Sequence, residues 1–246
     1  MPDSIGYVNP SREFIRVGTD TVNLNMQLPT LEDRSAQKDK QPETSPAVAE
    51  GRLTEQDYKE VAEALGVEVA AMKAVVEIEA GREHKGFWAK GKPIINFDLS
   101  VYRQMAARHK LNLSKYSKSH PLIFNRPDTR RFGSQQAAVQ ARLDQAMSID
   151  SVTAIEGTFW GMFQLGGFNW KLCGLSSPQE FVELMSRSER DQLDLFAIFI
   201  QKSGLLPALK AKNWSSFARG YNGTNYAARG YHTKLASAYA KYSRKK

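Results

Sequence analysis

The sequence predicts a mainly α fold of the α+β type: a single helical domain with a small β-hairpin, preceded by an extended segment and a linker. Three observations carry this. From Gly51 on, apolar residues recur at helical spacing between capping and breaking residues. Strand signals are few, chiefly Pro93-Ile94-Ile95-Asn96-Phe97, which can pair in a hairpin with Phe87-Trp88. Residues 29–50 are polar, hold three prolines and show no period, as a flexible linker does.

Taken in order, residues 1–28 come first. Val22, Leu24, Met26 and Leu28 alternate with Asn23, Asn25 and Gln27, a period of two that suits an extended segment. Too short to fold alone, it docks either on the body of the chain or as an added strand on another protein's sheet edge, which would make it a docking or delivery tag. After the linker the domain spans 51–246. Thr54 caps a helix running to Leu65, Gly66 breaks it, and Glu68 to Ala80 forms the next. Further helices are expected over 98–110, 134–147, 178–186, 188–202, 213–219 and 231–242, with Gly-rich loops over 86–93 and 161–167 between them. No internal repeat is evident.

Composition narrows the function classes. With 246 residues, 41% hydrophobic and 24% charged, the chain can bury one sizeable core. No apolar run is long enough to span a membrane, and Met1-Pro-Asp-Ser-Ile lacks the basic start and apolar core of a Sec signal. A single cysteine, Cys173, excludes an intramolecular disulfide, and its Lys-Leu-Cys-Gly-Leu context suits a buried structural thiol better than a nucleophile. The four histidines form no HExxH pattern; neither a metal nor a cofactor is expected.

The charge is +8, unevenly placed. Residues 1–50 hold five of the 34 basic and eight of the 26 acidic side chains, leaving 29 against 18, or +11, for 51–246. No Asp or Glu occurs from Leu195 to Lys246. Such a field draws the domain to a polyanion. Tyrosines among these cations could stack nucleic-acid bases, bacterial envelopes are polyanionic as well, and a solvated basic helix face needs no partner.

On the helix 68–80, Val67, Ala71, Ala74, Val75 and Ile78 share one face, and Glu77 and Glu79 fall on its opposite borders. Periodicity does not choose between them; their neighbours do. Glu79 has Val75 and Val76 behind it, whereas Glu77 has Lys73 at i−4 and a ready ion pair. Apolar surroundings disfavour the charged carboxylate, which a general acid for glycoside cleavage requires.

The segment Met72-Lys73-Ala74-Val75-Val76-Glu77-Ile78-Glu79-Ala80-Gly81, then Gly86-Phe87, Gly91-Lys92-Pro93 and Phe97-Asp98, resembles the start of the phage-type N-acetylmuramidase domain of modular endolysins, AVxEVESxGxGF followed by DGRPxILFExHxF. The second half is more similar. Phe159-Trp160-Gly161-Met162-Phe163-Gln164-Leu165-Gly166-Gly167-Phe168-Asn169 resembles SWGxxQIMGFN, and Trp214-Ser215-Ser216-Phe217-Ala218-Arg219-Gly220-Tyr221-Asn222-Gly223 resembles WxxFARxYNG. The likeness runs from about Leu53 to Tyr242. It implies a lysozyme-like fold with the hairpin beside an active-site cleft, and a catalytic glutamate at Glu79. Departures are Ala80 for the small polar residue after that glutamate, Asp98-Leu99-Ser100 for Glu-Arg-His, and the inserted Arg82-Glu83-His84-Lys85. Asp98 is a candidate water-activating base and equally a candidate N-cap.

Gly161, Gly166 and Gly167 would let backbone groups approach N-acetyl substituents closely. Gln164 and Asn222 would supply amide hydrogen bonds and Tyr221 a ring wall beside the acid. Trp88 and Trp160 would stack on sugar faces, as would Phe87 unless it lies in the core. Glu156 is a further acid, better explained by a helix-end ion pair.

The function expected is hydrolysis of the β-1,4 bond between N-acetylmuramic acid and N-acetylglucosamine in peptidoglycan, with Glu79 as general acid. The alternatives are a lytic transglycosylase, which forms 1,6-anhydro ends with a single Glu, and a non-catalytic module binding cell wall or nucleic acid. Expected partners are peptidoglycan strands, with no nucleic acid and no membrane insertion, and the chain is expected to act as a monomer. The setting is either a phage endolysin released through a holin or an antibacterial effector delivered by a secretion system, with a carrier and an immunity protein. Both place its action in the periplasm or cell wall.

Overall fold

Thr54 starts the first helix, α1 (Glu55–Leu65), through a capping box: its hydroxyl accepts the Asp57 N–H at 3.3 Å while the Asp57 carboxylate accepts the Thr54 N–H at 2.7 Å. Gly66 ends it in the left-handed region, φ +63°. These features come from a computed structural model that describes residues 51–80 and 85–244. The extended segment 1–28, the linker 29–50 and residues 82–84 of the insertion lie outside the described residues.

Helix α2 (Val69–Glu79) buries Ala71, Ala74 and Val75 of the predicted face together with Met72 and Val76, leaves Val67 and Ile78 half-buried, and stops one residue before the expected Ala80. Strands β1 (Phe87–Ala89) and β2 (Lys92–Pro93) then form the hairpin. The predicted strand 93–97 is divided. Pro93 stays in the hairpin, while β3 (Ile95–Phe97) pairs antiparallel with β4 (Thr158–Trp160), which pairs in turn with β5 (Leu165–Gly166). Ile95 and Phe97 are both buried and must satisfy their backbone inside the core, which the exposed hairpin cannot do. Strand β4 is buried at every position, so it leaves no alternation to read in the sequence.

Helices α3 (Leu99–Arg108), α4 (Pro121–Phe124), α5 (Thr129–Phe132), α6 (Gln135–Ile149) and α7 (Ser151–Glu156) lie between β3 and β4. Buried Arg142 of α6 holds α4 in place, donating to the carbonyls of Leu122 at 3.0 Å and Ile123 at 2.8 Å. After β5 come α8 (Pro178–Arg187), α9 (Glu189–Lys202), α10 (Leu206–Lys210), α11 (Trp214–Asn222) and α12 (Tyr231–Ser243). The predicted helices all form, most within two residues of their expected ends. Four short ones, α4, α5, α7 and α10, of four to six residues, were not predicted because a single turn has no period.

Helix α9 runs through the core. Its Phe196 stacks on Phe163 with ring centroids 4.1 Å apart, and Tyr221 meets Phe196 edge-on at 5.4 Å. Cys173 is buried in the same core, and burial pushes its thiol up to about 12, as a structural thiol requires. Helix α12 packs along α2 and α11. The acid-free C-terminal stretch thereby meets acidic α2: Lys212 pairs with Glu68 at 2.5 Å, Lys241 with Glu77 at 2.7 Å, and Tyr239 donates to Glu68. Part of the basic field is neutralised within the fold. Among the described residues no helix is long and apolar enough to cross a membrane.

Candidate active site

The last turn of α2 places Glu79 at a helix end, where unpaired carbonyls and the negative pole of the helix dipole gather. Its side chain is half-buried, on the turn formed by buried Met72, Val75 and Val76. Asn222 Nδ2 donates to Glu79 Oε1 at 3.0 Å. Glu77, on the other border of the helix, pairs with Lys241 rather than with the expected Lys73, whose ammonium goes to Glu55.

Asn222 is the last residue of α11 and is 7% exposed. The residue before it, Tyr221, donates its hydroxyl to the Phe163 carbonyl at 2.7 Å. Two consecutive residues of one helix thus hold the acid on one side and the segment Gly161-Met162-Phe163-Gln164 on the other. That segment is a tight turn. Gly161 (φ +71°) and Gln164 (φ +47°) are both left-handed, and the Gly161 carbonyl accepts from the Gln164 N–H at 3.1 Å and from its Nε2 at 2.9 Å. A non-glycine residue in that region is unfavourable by roughly 1–2 kcal/mol, so the amide and the Tyr221 hydroxyl have strain to offset. Gly161 N–H in turn donates to the Ile94 carbonyl at 2.8 Å, joining the turn to the residue between β2 and β3.

The expected site residues therefore separate. Glu79, Asn222, Tyr221, Gln164 and Gly161 are linked through these bonds. Tyr221 is only 2% exposed: its ring is an anchor in the core, stacked on Phe217, rather than an open wall. Trp160 is likewise 4% exposed and donates its indole N–H to the Ile155 carbonyl at 3.1 Å, so its ring serves the core rather than a sugar face. Trp88, on the hairpin, is half-buried beneath the Lys92 ammonium at 5.3 Å.

Asp98 caps α3, its Oδ1 accepting the N–H groups of Ser100 at 2.8 Å and Val101 at 3.0 Å. Glu156 takes His109 Nε2 at 2.6 Å and the Trp170 indole N–H at 2.9 Å, the helix-end pairing expected for it. No group of three or more His, Cys, Asp or Glu side chains among the described residues is arranged to hold a metal.

Two polar residues of α9 escaped the sequence reading. Gln192 is fully buried, accepting the Met162 N–H at 2.8 Å, and Glu189 accepts the Gly86 N–H at 2.8 Å. The signal was present: Gln192 lies at i−4 from Phe196 and i−7 from Phe199, a polar side chain on an apolar face.

The family model for N-acetylmuramidases matches residues 68–243. Among solved structures, the endolysin of the Burkholderia AP3 phage is 37% identical, superposes with a TM-score of 0.67, and is matched over 78% of this chain and 72% of its own. No curated protein matches the sequence.

Proposed function

The chain belongs to the N-acetylmuramidase family, a peptidoglycan hydrolase of endolysin type, and we propose that it cleaves the β-1,4 bond between N-acetylmuramic acid and N-acetylglucosamine with Glu79 as general acid. One observation carries the assignment: Asn222 and Tyr221 tie Glu79 and the Gly161–Gln164 turn to the same helix end.

The chemistry follows from that placement. Buried Val75 and Val76 lie behind Glu79, and its side chain stands at the carbonyl end of α2. Glu79 then gives its proton to the glycosidic oxygen as the C–O bond breaks and positive charge develops at the anomeric carbon. The Asn222 amide orients the carboxyl and stabilises the carboxylate that remains. Gln164 Nε2 is bound to its own turn, which leaves its Oε1 to accept an N-acetyl N–H of the glycan.

The fate of the anomeric carbon separates two readings. In the hydrolase, water attacks it and Asp98 is the candidate base, through Oδ2, because Oδ1 caps α3. In the lytic transglycosylase, the C6 hydroxyl of the same muramic acid attacks, loses its proton to the Glu79 carboxylate and closes a 1,6-anhydro ring without water. The capping role of Asp98 gives the second reading its support. Mass spectrometry of peptidoglycan fragments distinguishes them. Hydrated reducing muramic ends are expected; anhydro ends alone would overturn the hydrolase.

The likeness to a phage endolysin favours lysis of the cell wall from within as the setting. The remaining exposed cations, Arg103, Lys115, Lys118, Arg130 and Arg131 among them, suit an anionic envelope. Delivery as an antibacterial effector, with a carrier and an immunity protein, would rest on residues 1–28, outside the described residues.

A further inference from the structure

Helix α9 grips both the Gly161–Gln164 turn and the residue that leads into the hairpin, and it does so with one side chain. Gln192 Oε1 accepts the Met162 N–H at 2.8 Å, inside the Gly161–Gln164 turn. Its Nε2 donates to the Met185 carbonyl at 2.8 Å and to the Gly86 carbonyl at 3.3 Å. One helical turn earlier, Glu189 accepts the Gly86 N–H at 2.8 Å and the Leu53 N–H at 3.3 Å. Gly86 directly precedes β1 of the hairpin, and it is held at both its N–H and its carbonyl.

The glycines on either side belong to the same device. A Cβ on Gly86 would stand 2.6 Å from Gln192 Oε1, and a Cβ on Gly161 would stand 2.7 Å from it. Both distances are closer than a real Cβ permits, so each glycine is a socket for this amide. Neither of the two side chains closest to it in shape fits. Glutamate would turn a carboxylate oxygen toward two carbonyl oxygens, and methionine would leave a buried N–H and two carbonyls with fewer partners.

We infer that Gln192, steadied by Glu189, is a positioning residue that sets the spacing between the Gly86 segment and the Gly161–Gln164 turn, and through it the geometry in which substrate meets Glu79. The catalytic consequence rests on the muramidase reading; the bracket itself does not. Displacing a substrate-holding segment by about 1 Å costs on the order of a hundredfold in rate, and it acts on the reacting geometry more than on overall affinity.

Two measurements test this. In the wild-type protein, hydrogen exchange should show the Gly86 and Met162 amides protected, and Gln192→Met should speed Met162, whose N–H it accepts, at least about tenfold while α1 amides are unchanged. Unprotected exchange at either amide in the wild type overturns the bracket without any variant. Kinetics on purified sacculi, at a temperature where each variant is folded by circular dichroism, should show kcat reduced about a hundredfold in Gln192→Met with KM changed less than about threefold, and a similar loss in Gly86→Ala. Combining Gly86→Ala with Gln192→Ser, which removes the clash, should lose no more than the worse single variant. Wild-type kcat in folded Gln192→Met overturns the positioning role. If the wild type leaves sacculi intact, the muramidase reading fails, and the exchange data alone decide the bracket.

Discussion

Glu79 and Asp98 are both half-buried carboxylic acids at helix ends, and they are held in opposite ways. Asp98 stands at the N-terminus of α3, where its own helix supplies the donors: the N–H groups two and three residues ahead bind Oδ1 at 2.8 and 3.0 Å. Glu79 stands at the C-terminus of α2, where a helix offers carbonyls, and its Oε1 takes an amide from Asn222, 143 residues further along the chain. A helix N-terminus favours an anion and a C-terminus disfavours one. An acid that must carry and release a proton belongs at the second kind of end, steadied by a group that the tertiary fold delivers.

The largest test of that contrast is Glu79→Gln. It keeps the size of the side chain and its ability to accept from Asn222, yet removes the proton. Release of soluble fragments from sacculi should fall by roughly 10²–10⁴, the range for losing a general acid, with the thermal midpoint nearly unchanged. A variant that keeps more than about a tenth of wild-type activity would show that the helix-end acid is not the proton donor.

Asn222→Ala probes the long-range half of the contrast. A hydrogen bond to an ionised group is worth about 1.5–3 kcal/mol, so kcat should drop roughly 10- to 100-fold. Tyr221, whose hydroxyl bond to Phe163 is a separate contact, should still hold the turn, and the variant should remain folded. Unchanged kcat would mean that Asn222 merely packs against the acid.

The same contrast explains what the sequence disclosed. Local devices were legible: the Thr54 cap, the Gly66 stop, Ala71, Ala74 and Val75 on the buried side of α2, and Asp98 as a candidate N-cap all lie within a few residues of their partners. Long-range devices were not. Ile95–Phe97 looked like the second half of a hairpin, yet its partner is Thr158–Trp160, a wholly buried strand without alternation. Tyr221 was read as a wall beside the acid and Trp160 as a face for sugar because aromatic residues near a site do stack, but their burial is fixed by packing that no local pattern records. Gln192 went unnoticed because its partners, Gly86 and Met162, lie 106 and 30 residues away. Resemblance supplied part of what spacing could not: it placed Glu79, Gln164, Tyr221 and Asn222 in one site without saying which of them touch.

The smallest effect, and the sharpest discrimination, comes from Asp98. Asparagine caps a helix about as well as aspartate, whereas alanine does not. If Asp98 serves α3, Asp98→Asn should keep both thermal stability and activity, and Asp98→Ala should lose about 1 kcal/mol of stability with kcat unchanged below the transition. If instead Asp98 Oδ2 takes a proton from the attacking water, Asp98→Asn should leave stability intact and lower kcat by roughly 10²–10⁴, because an amide cannot act as the base. The capping geometry favours the first outcome: both donors come from the first turn of α3, and they hold Oδ1. The contrast between the two acids then becomes one of role as well as place, with one carboxylate building its own helix and the other handling a proton.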